Sequence, residues 1–290
     1  MKQEFSPWVY NAIRIFFLFL IFIPLLIWIG RTIGESRFRD LVRAQNASPA
    51  AVNESVTRHG SSSSTDSVVH HADLTKQKVL GKKVTHGLDV SHYQGIIRWD
   101  KFKRKDLEFV LIKATGGETY VDPHFHHNWN GVRETGIIRG AYHFFYAADD
   151  PRKQAAHFLS TVGKLRSQDL PPVLDVEIPD HTPAKQLQQS VLVWLQLVEK
   201  GLKRIPMVYT DDAFGQEYLQ NASLARYPLW IAVYEKTVSA VPSPWKDKGW
   251  TFWQYTQDGR VEGINGTVDL DLFKGDLDEL KLFIDRSKVN

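Results

Sequence analysis

From residue 84 onward, short apolar runs alternate with amphipathic stretches, and this alternation limits the chain to few folds. The runs are Thr85–Ser91, Phe109–Ala114, Ile138–Tyr146, Pro172–Ile178, Met207–Thr210, Leu229–Tyr234, Thr251–Tyr255 and Thr267–Leu270. Helical patterns fall near 125–135, 151–165, 183–201 and 212–220. The third is the clearest, with Leu187, Val191, Trp194, Leu195 and Val198 on one stripe. Thr182 is expected to cap it, Pro183 suits its first turn and Gly201 is expected to end it. Buried strands alternating with helices imply a parallel sheet with helices outside. The last strands lack long helices between them, so the expectation is α/β: a shortened, irregular β/α barrel.

The segment before this domain has a different character. Ile15–Ile29 is an unbroken apolar run, counting Pro24, and the stretch Trp8–Gly30 is interrupted only by Asn11 and Arg14. A bilayer core is crossed by about 20 apolar helical residues. Trp8, Tyr10 and Trp28 fall where interfacial aromatics sit, and Arg14 can snorkel. No small-x-small cleavage site follows directly, so the run is read as a transmembrane anchor over 8–30 rather than a cleaved leader. Residues 1–7 form a short tail before it. Residues 31–83, with the serine run Ser61–Ser64 and no periodicity over 44–83, read as a flexible linker whose forty later residues span roughly 35 Å. His70 and His71 are solvated linker residues. The domain proper is 84–290.

Charge separates the same two regions. Residues 1–83 contain eleven Lys/Arg and six Asp/Glu, a net +5, while 84–290 contain 25 Lys/Arg and 27 Asp/Glu, a net −2. The barrel region has no polycationic signature, which argues against nucleic acid as a partner. Arg31, Arg37, Arg39 and Arg43 follow the apolar run, so the positive-inside rule favours a cytoplasmic C-terminus. The absence of Cys excludes disulfides, thiolate catalysis and Cys-ligated zinc.

Three strands end in carboxylates: GLDVSHYQG with Asp89, PPVLDVEI with Asp175 and Glu177, and GTVDLDLF with Asp269 and Asp271. Residues i and i+2 of a strand point to one face, so Asp175 and Glu177 point together, roughly 7 Å apart along the strand. Two carboxylates at one barrel mouth repel and tend to raise one pKa, as a general acid beside an ionised partner requires. Solvated strand-edge acids are the competing explanation, and the apolar character of Pro171–Ile178 opposes it. Candidate ligand contacts on the strands are Tyr142, Tyr209, Trp230, Tyr234, Gln254 and Tyr255; Trp230 and Tyr234 share a face, and Gln254 and Tyr255 lie on opposite faces. Asp122, His124, His126 and His127 resemble a metal cluster in composition but not in spacing, so a structural loop is expected there, with no metal or other cofactor.

These segments resemble the glycoside hydrolase family 25 muramidases. The resemblance is carried by GLDVSHYQG, FVLIKATGG followed by YVDPHF, GAYHFF, PVLDVE, PMVYT, LWIAVY and WTFWQYTQDGRVEGINGTVDLD, in family order over nearly all of 85–273. It implies a (β/α)5β3 barrel that cleaves the β-1,4 bond between N-acetylmuramic acid and N-acetylglucosamine in peptidoglycan. It also implies Glu177 as general acid, Asp175 as its partner, and Asp89 and Asp269 as flanking acids. Where the family usually has an acid after Lys-Ala-Thr, this chain has Gly116, with Glu118 two residues on; loop contacts and substrate preference stay open. A substrate outside the cytoplasm places the barrel on the extracytoplasmic side of the membrane, against the charge count. A silent wall-binding module and a chitinase-like hydrolase are the rival readings. Within the muramidase reading, wall remodelling, phage lysis and attack on competitors are not separated.

Overall fold

The computed structural model describes residues 83–102, 107–234 and 237–289. The expected anchor at 8–30 and, but for Lys83, the linker at 31–83 lie outside the described residues. Among the described residues no helix is long and apolar enough to cross a membrane.

Among the described residues nine strands are formed: β1 (Thr85–Val90), β2 (Phe109–Gly116), β3 (Tyr120–Val121), β4 (Ile138–Phe144), β5 (Val173–Asp175), β6 (Met207–Asp211), β7 (Leu229–Ala232), β8 (Phe252–Gly259) and β9 (Val268–Phe273). Eight of them close a barrel in the order β1-β2-β4-β5-β6-β7-β8-β9, and β3 is a short antiparallel appendage on β2. Every pairing from β1 round to β8 is parallel, whereas β9 runs antiparallel to both β8 and β1. The helices are α1 (Phe125–Thr135), α2 (Pro151–Val162), α3 (Ala184–Leu202), α4 (Asp212–Tyr218) and α5 (Leu277–Arg286).

Alternation along the strands builds two cores. Inward positions give Phe109, Leu111, Val173, Met207, Phe252 and Phe273, which fill the lower barrel. Outward positions such as Leu88, Ile112, Leu174, Val208 and Leu272 pack beneath the helices. Gly87 is required inside, because a Cβ there would lie 2.3 Å from the Phe109 ring. In the outer core Trp194 of α3 meets Phe158 of α2 at 5.2 Å and stacks on His143 at 5.4 Å. His143 is fully buried, bonded to Thr115 Oγ1 and Gln154 Oε1, and burial lowers its pKa to about 3, so it is neutral.

Two expectations about the long helix change. Thr182 does not cap it; the helix begins at Ala184 after Pro183, without a side-chain cap. Gly201 does not end it. The helix runs to Leu202 and stops at Lys203, which takes the left-handed conformation with φ 56°. Gly201 serves helix packing instead: a Cβ there would sit 2.7 Å from Leu159 on α2. Helix α5 was not anticipated. Its capping box of Asp276 and Glu279 starts it, and its buried Leu280 and Ile284 join the inner core.

Candidate active site

Toward the C-terminal ends of the parallel strands the inward positions change from apolar to polar or ionisable. Gly87 gives way to Asp89 on β1, Val173 to Asp175 on β5, Met207 to Tyr209 on β6 and Phe252 to Gln254 on β8. Because β9 runs the other way, its acids precede its apolar residue in sequence. Asp269 lies opposite Asp89, Asp271 opposite Gln254, and Phe273 opposite Phe252. One antiparallel strand thereby adds one carboxylate opposite Asp89 and a second opposite Gly87 and Gln254.

Strand β5 ends at Asp175, one ladder bond further being made by Val176 N to Tyr209 O at 3.0 Å. Glu177 therefore stands just beyond the strand, half-buried, while Asp175 is buried. Both are on the mouth side. The Tyr209 hydroxyl, its pKa raised first by burial, is raised further by Glu177 and then by Asp175. Asp89 is raised well above the usual carboxyl range by burial, then by Asp269, Asp271 and Asp175. Asp271 is raised by burial and then by Asp269. Asp89, Asp175, Glu177 and Asp269 thus share one site, and Asp271 joins them.

Gln254 is the hub of the floor. Its Oε1 accepts the Tyr209 hydroxyl at 3.0 Å and the Tyr234 hydroxyl at 2.8 Å, and its Nε2 donates to Asp89 Oδ2 at 2.7 Å. Trp230 donates Nε1 to Asp271 Oδ1 at 2.8 Å and packs against Tyr209 at 4.5 Å and Tyr142 at 6.3 Å. Tyr142 and Trp230 are therefore walls of the barrel interior. Tyr234 is 54% exposed, with its hydroxyl anchored on Gln254. Tyr255 is not brought to the site. It faces outward into the core beneath the helices, 6.2 Å from the Trp253 ring, because it follows the inward Gln254 by one residue.

The loops at the rim are tied to the barrel. Ser91 and Gln94 form a capping box just after Asp89. Asp122 is buried and accepts from the backbone N and Nδ1 of His92 at 2.9 and 2.8 Å and from His124 N at 2.9 Å. His127 bonds the Ile97 carbonyl at 2.8 Å. Asp122 and His127 thus fasten two rim loops together, and among the described residues no cluster of three or more His, Asp or Glu could hold a metal ion. Glu118 turns away from the site. It accepts from Asp150 N and pairs with Lys153, each at 3.1 Å, so it does not stand in for the missing acid at Gly116.

Asp271 and Lys113 were not among the predicted site residues. The signal for Asp271 was present, since it lies two residues from Asp269 and therefore on the same face. Lys113, buried inside the barrel over the Phe144 ring at 4.6 Å, was hidden within an apolar run.

Residues 88–264 match the family Glycosyl hydrolases family 25. The chain belongs to this family. It is a glycoside hydrolase of the lysozyme type. Among its relatives, the protein YegX of Escherichia coli strain K12 is 41% identical over 209 residues, covering 70% of this chain and 74% of that one. Lysozyme M1 of Streptomyces globisporus is 35% identical over 203 residues, covering 65% and 67%. The crystal structure of the bacterial lysozyme from Streptomyces coelicolor superposes with a TM-score of 0.64 at 32% identity, covering 70% of this chain and 98% of that one. The family 25 match spans β1 to the loop before β9, so it includes Asp89, Asp175 and Glu177, while Asp269 and Asp271 lie just beyond it.

Proposed function

We propose that this family 25 enzyme cleaves the β-1,4 bond between N-acetylmuramic acid and N-acetylglucosamine in peptidoglycan, with Glu177 as the general acid. The observation that carries this reading is the placement of Asp175 and Glu177 at the end of β5, facing a mouth already lined by Asp89 and Asp269. Asp175 is buried and Glu177 half-buried, which suits one carboxylate that stays fixed and one that meets the leaving oxygen.

The substrate supplies the nucleophile. The acetamido oxygen of muramic acid attacks its own anomeric carbon as the glycosidic C–O bond breaks, and Glu177 gives its proton to the leaving oxygen. Asp175 holds the amide N–H and stabilises the positive oxazolinium ion. Glu177, now a carboxylate, takes a proton from the water that attacks the anomeric carbon and opens the ring. Configuration is retained, so the first product is the β-anomer. Tyr234 at the rim offers an aromatic face to a sugar ring, and Asp89 and Asp269 set the field around the pair.

The test is Glu177→Gln, which keeps shape and removes the acid. Activity should fall by about 10²-fold or more with folding intact. Near-normal clearance of a peptidoglycan suspension by the folded variant would end the assignment. An α-anomer in the first NMR spectra after mixing would replace substrate assistance with inversion.

The barrel is proposed to work on the extracytoplasmic face of the membrane, anchored through residues 8–30. Support comes from the apolar run Trp8–Gly30 and from the location of the substrate, against the cationic cluster Arg31–Arg43. A C-terminal reporter that is active only in the cytoplasm should stay silent; activity would reverse the topology.

A further inference from the structure

The two ends of the barrel carry charge of opposite sign, although residues 84–290 sum to a net charge of only −2. At the mouth, the segments that leave β5 and β6, residues 175–182 and 211–217, hold six Asp/Glu and no Lys/Arg. At the base, the segments that lead into β4, β5 and β6, residues 131–139, 163–170 and 200–206, hold seven Lys/Arg and two Asp/Glu. A cavity of about 420 Å³ opens there, between the end of α1, the start of β4, the turn before β5 and helix α5. Four cations line it, Arg133, Arg139, Arg166 and Lys281, against two acids, Asp169 and Asp285. Segregation along the barrel axis, not overall charge, makes this end cationic.

The frame of the cavity is fixed and its outer cations are exposed. Arg139 is buried and donates Nε and Nη2 to Asp169 at 3.0 and 3.2 Å, so that pair cancels in charge. Asp169 also accepts from the backbone N of Arg166 at 2.8 Å, and the buried Arg204 donates Nη2 to the Arg166 and Ser167 carbonyls at 3.2 and 3.3 Å. The turn that presents Arg166 is therefore held from two sides. Arg133, Arg166 and Lys281 are exposed. Arg133 pairs with Glu134 and Lys281 with Asp278 on the open surface, where such pairs are weak and yield to a competing anion. The chain also enters the barrel at this end. Lys83 pairs with Asp276 at 3.5 Å and Thr85 donates Oγ1 to the Gly275 carbonyl at 2.7 Å, beside the start of α5. Residues before Lys83 thus leave from the cationic base, and a tether that starts there and ends in a bilayer holds the base at high local concentration near lipid.

We propose that the base of the barrel docks on anionic phospholipid headgroups, with lipid phosphates at Arg133, Arg166 and Lys281, so that the acidic mouth is turned away from the bilayer and toward the glycan. The proposal deepens the anchored reading of residues 8–30 and rests on it. Each cation near an anionic bilayer strengthens attachment by about fivefold, whereas the acids of the mouth are repelled. The attraction is between exposed charges, so salt screens it.

The chain has no Cys, so one introduced thiol carries one fluorophore. Leu282→Cys marks the base and Ile96→Cys the rim of the mouth; the two residues are 47% and 64% exposed. The full chain is reconstituted in phosphatidylcholine vesicles with and without phosphatidylglycerol, with an energy acceptor on the headgroups. With phosphatidylglycerol present, transfer from Leu282→Cys should exceed transfer from Ile96→Cys. High salt, or omission of phosphatidylglycerol, should abolish the difference. The triple variant Arg133→Gln, Arg166→Gln, Lys281→Gln should abolish it too, weakening attachment of the base about 10²-fold. A control triple that removes the same charge near the mouth, Arg98→Gln, Arg152→Gln, Lys153→Gln, should keep it. Equal transfer from the two labels on anionic vesicles, or equal loss in the two triple variants, would overturn docking. If the full chain does not float with pure phosphatidylcholine vesicles, the anchor reading fails. Docking then requires flotation with phosphatidylglycerol vesicles that the base triple loses and the control triple keeps, and any other pattern overturns docking as well.

Discussion

The lower and upper halves of the barrel interior are built from the same strands and differ in nearly everything else. Below, Phe109, Leu111, Val173, Met207, Phe252 and Phe273 fill the space, and Leu280 and Ile284 of α5 belong to the same cluster. Above, two residues along each strand, the inward positions are Asp89, Asp175, Tyr209, Gln254 and Asp271. The lower half contributes burial of apolar surface. The upper half gathers like charges that oppose one another and are held in place by hydrogen bonds. A buried, closely packed lower layer supports the arrangement above it, and that separates stability from chemistry along a single barrel axis.

The comparison can be broken at either end. The largest effect is expected from Phe252→Ala, which empties a buried site in contact with Phe109 at 5.2 Å and Phe273 at 5.1 Å. It should cost about 3–5 kcal/mol of stability while the folded fraction keeps its turnover. Denaturant unfolding together with activity per folded molecule checks this; a specific loss of turnover at full stability would dissolve the division of labour.

Next comes pH. Asp89 and Asp271 have raised pKa values in the folded protein. They hold protons that the unfolded chain releases near pH 4, so the folded state is favoured fully below that value. It loses the advantage as pH rises toward the folded pKa. Unfolding free energy should therefore decline with rising pH above about 4, by up to roughly 1.4 kcal/mol per pH unit for each retained proton. Chemical denaturation across that window should give a falling line in the wild type and a shallower one in Asp271→Asn. A rise over the window would contradict the burial-driven shifts.

Tyr234→Ala tests the rim. Its ring is largely exposed, so stability should change little, whereas KM for glycan fragments should rise by about tenfold if a sugar packs on it, in line with about 1.4 kcal/mol of lost contact. An unchanged KM would move the platform elsewhere. The smallest effect belongs to Glu118→Gln. Its partners Asp150 and Lys153 lie on the surface at the start of α2. Neither turnover nor unfolding should shift measurably, and a clear loss of turnover would restore Glu118 to the site.

Much of this was legible from residue patterns because the relevant signals are local. Two-residue alternation in GLDVS and PPVLDVEI aimed Asp89, Asp175 and Glu177 at one mouth, and the strand–helix rhythm specified a β/α barrel. Signals that depend on neighbours across the sheet were less visible. Gly201 has the sequence character of a helix stop, yet it lies within the helix because α2 approaches too closely for a side chain. Tyr255 has the composition of a sugar platform, yet its parity along β8 turns it outward.

The amino-acid sequence by itself determined which strand positions carry carboxylates, their spacing and the apolar stripes that make strands and helices. These follow from the backbone periods of two and 3.6 residues, which need no partner. Tertiary structure alone decided that β9 enters antiparallel. That reversal places Asp269 opposite Asp89 and Asp271 opposite Gln254. Strand direction depends on closure of the whole barrel, and no local run of residues encodes it. The meeting of Asp89 with Asp269, opposite one another on β1 and β9 and 180 positions apart in the chain, is a product of that closure.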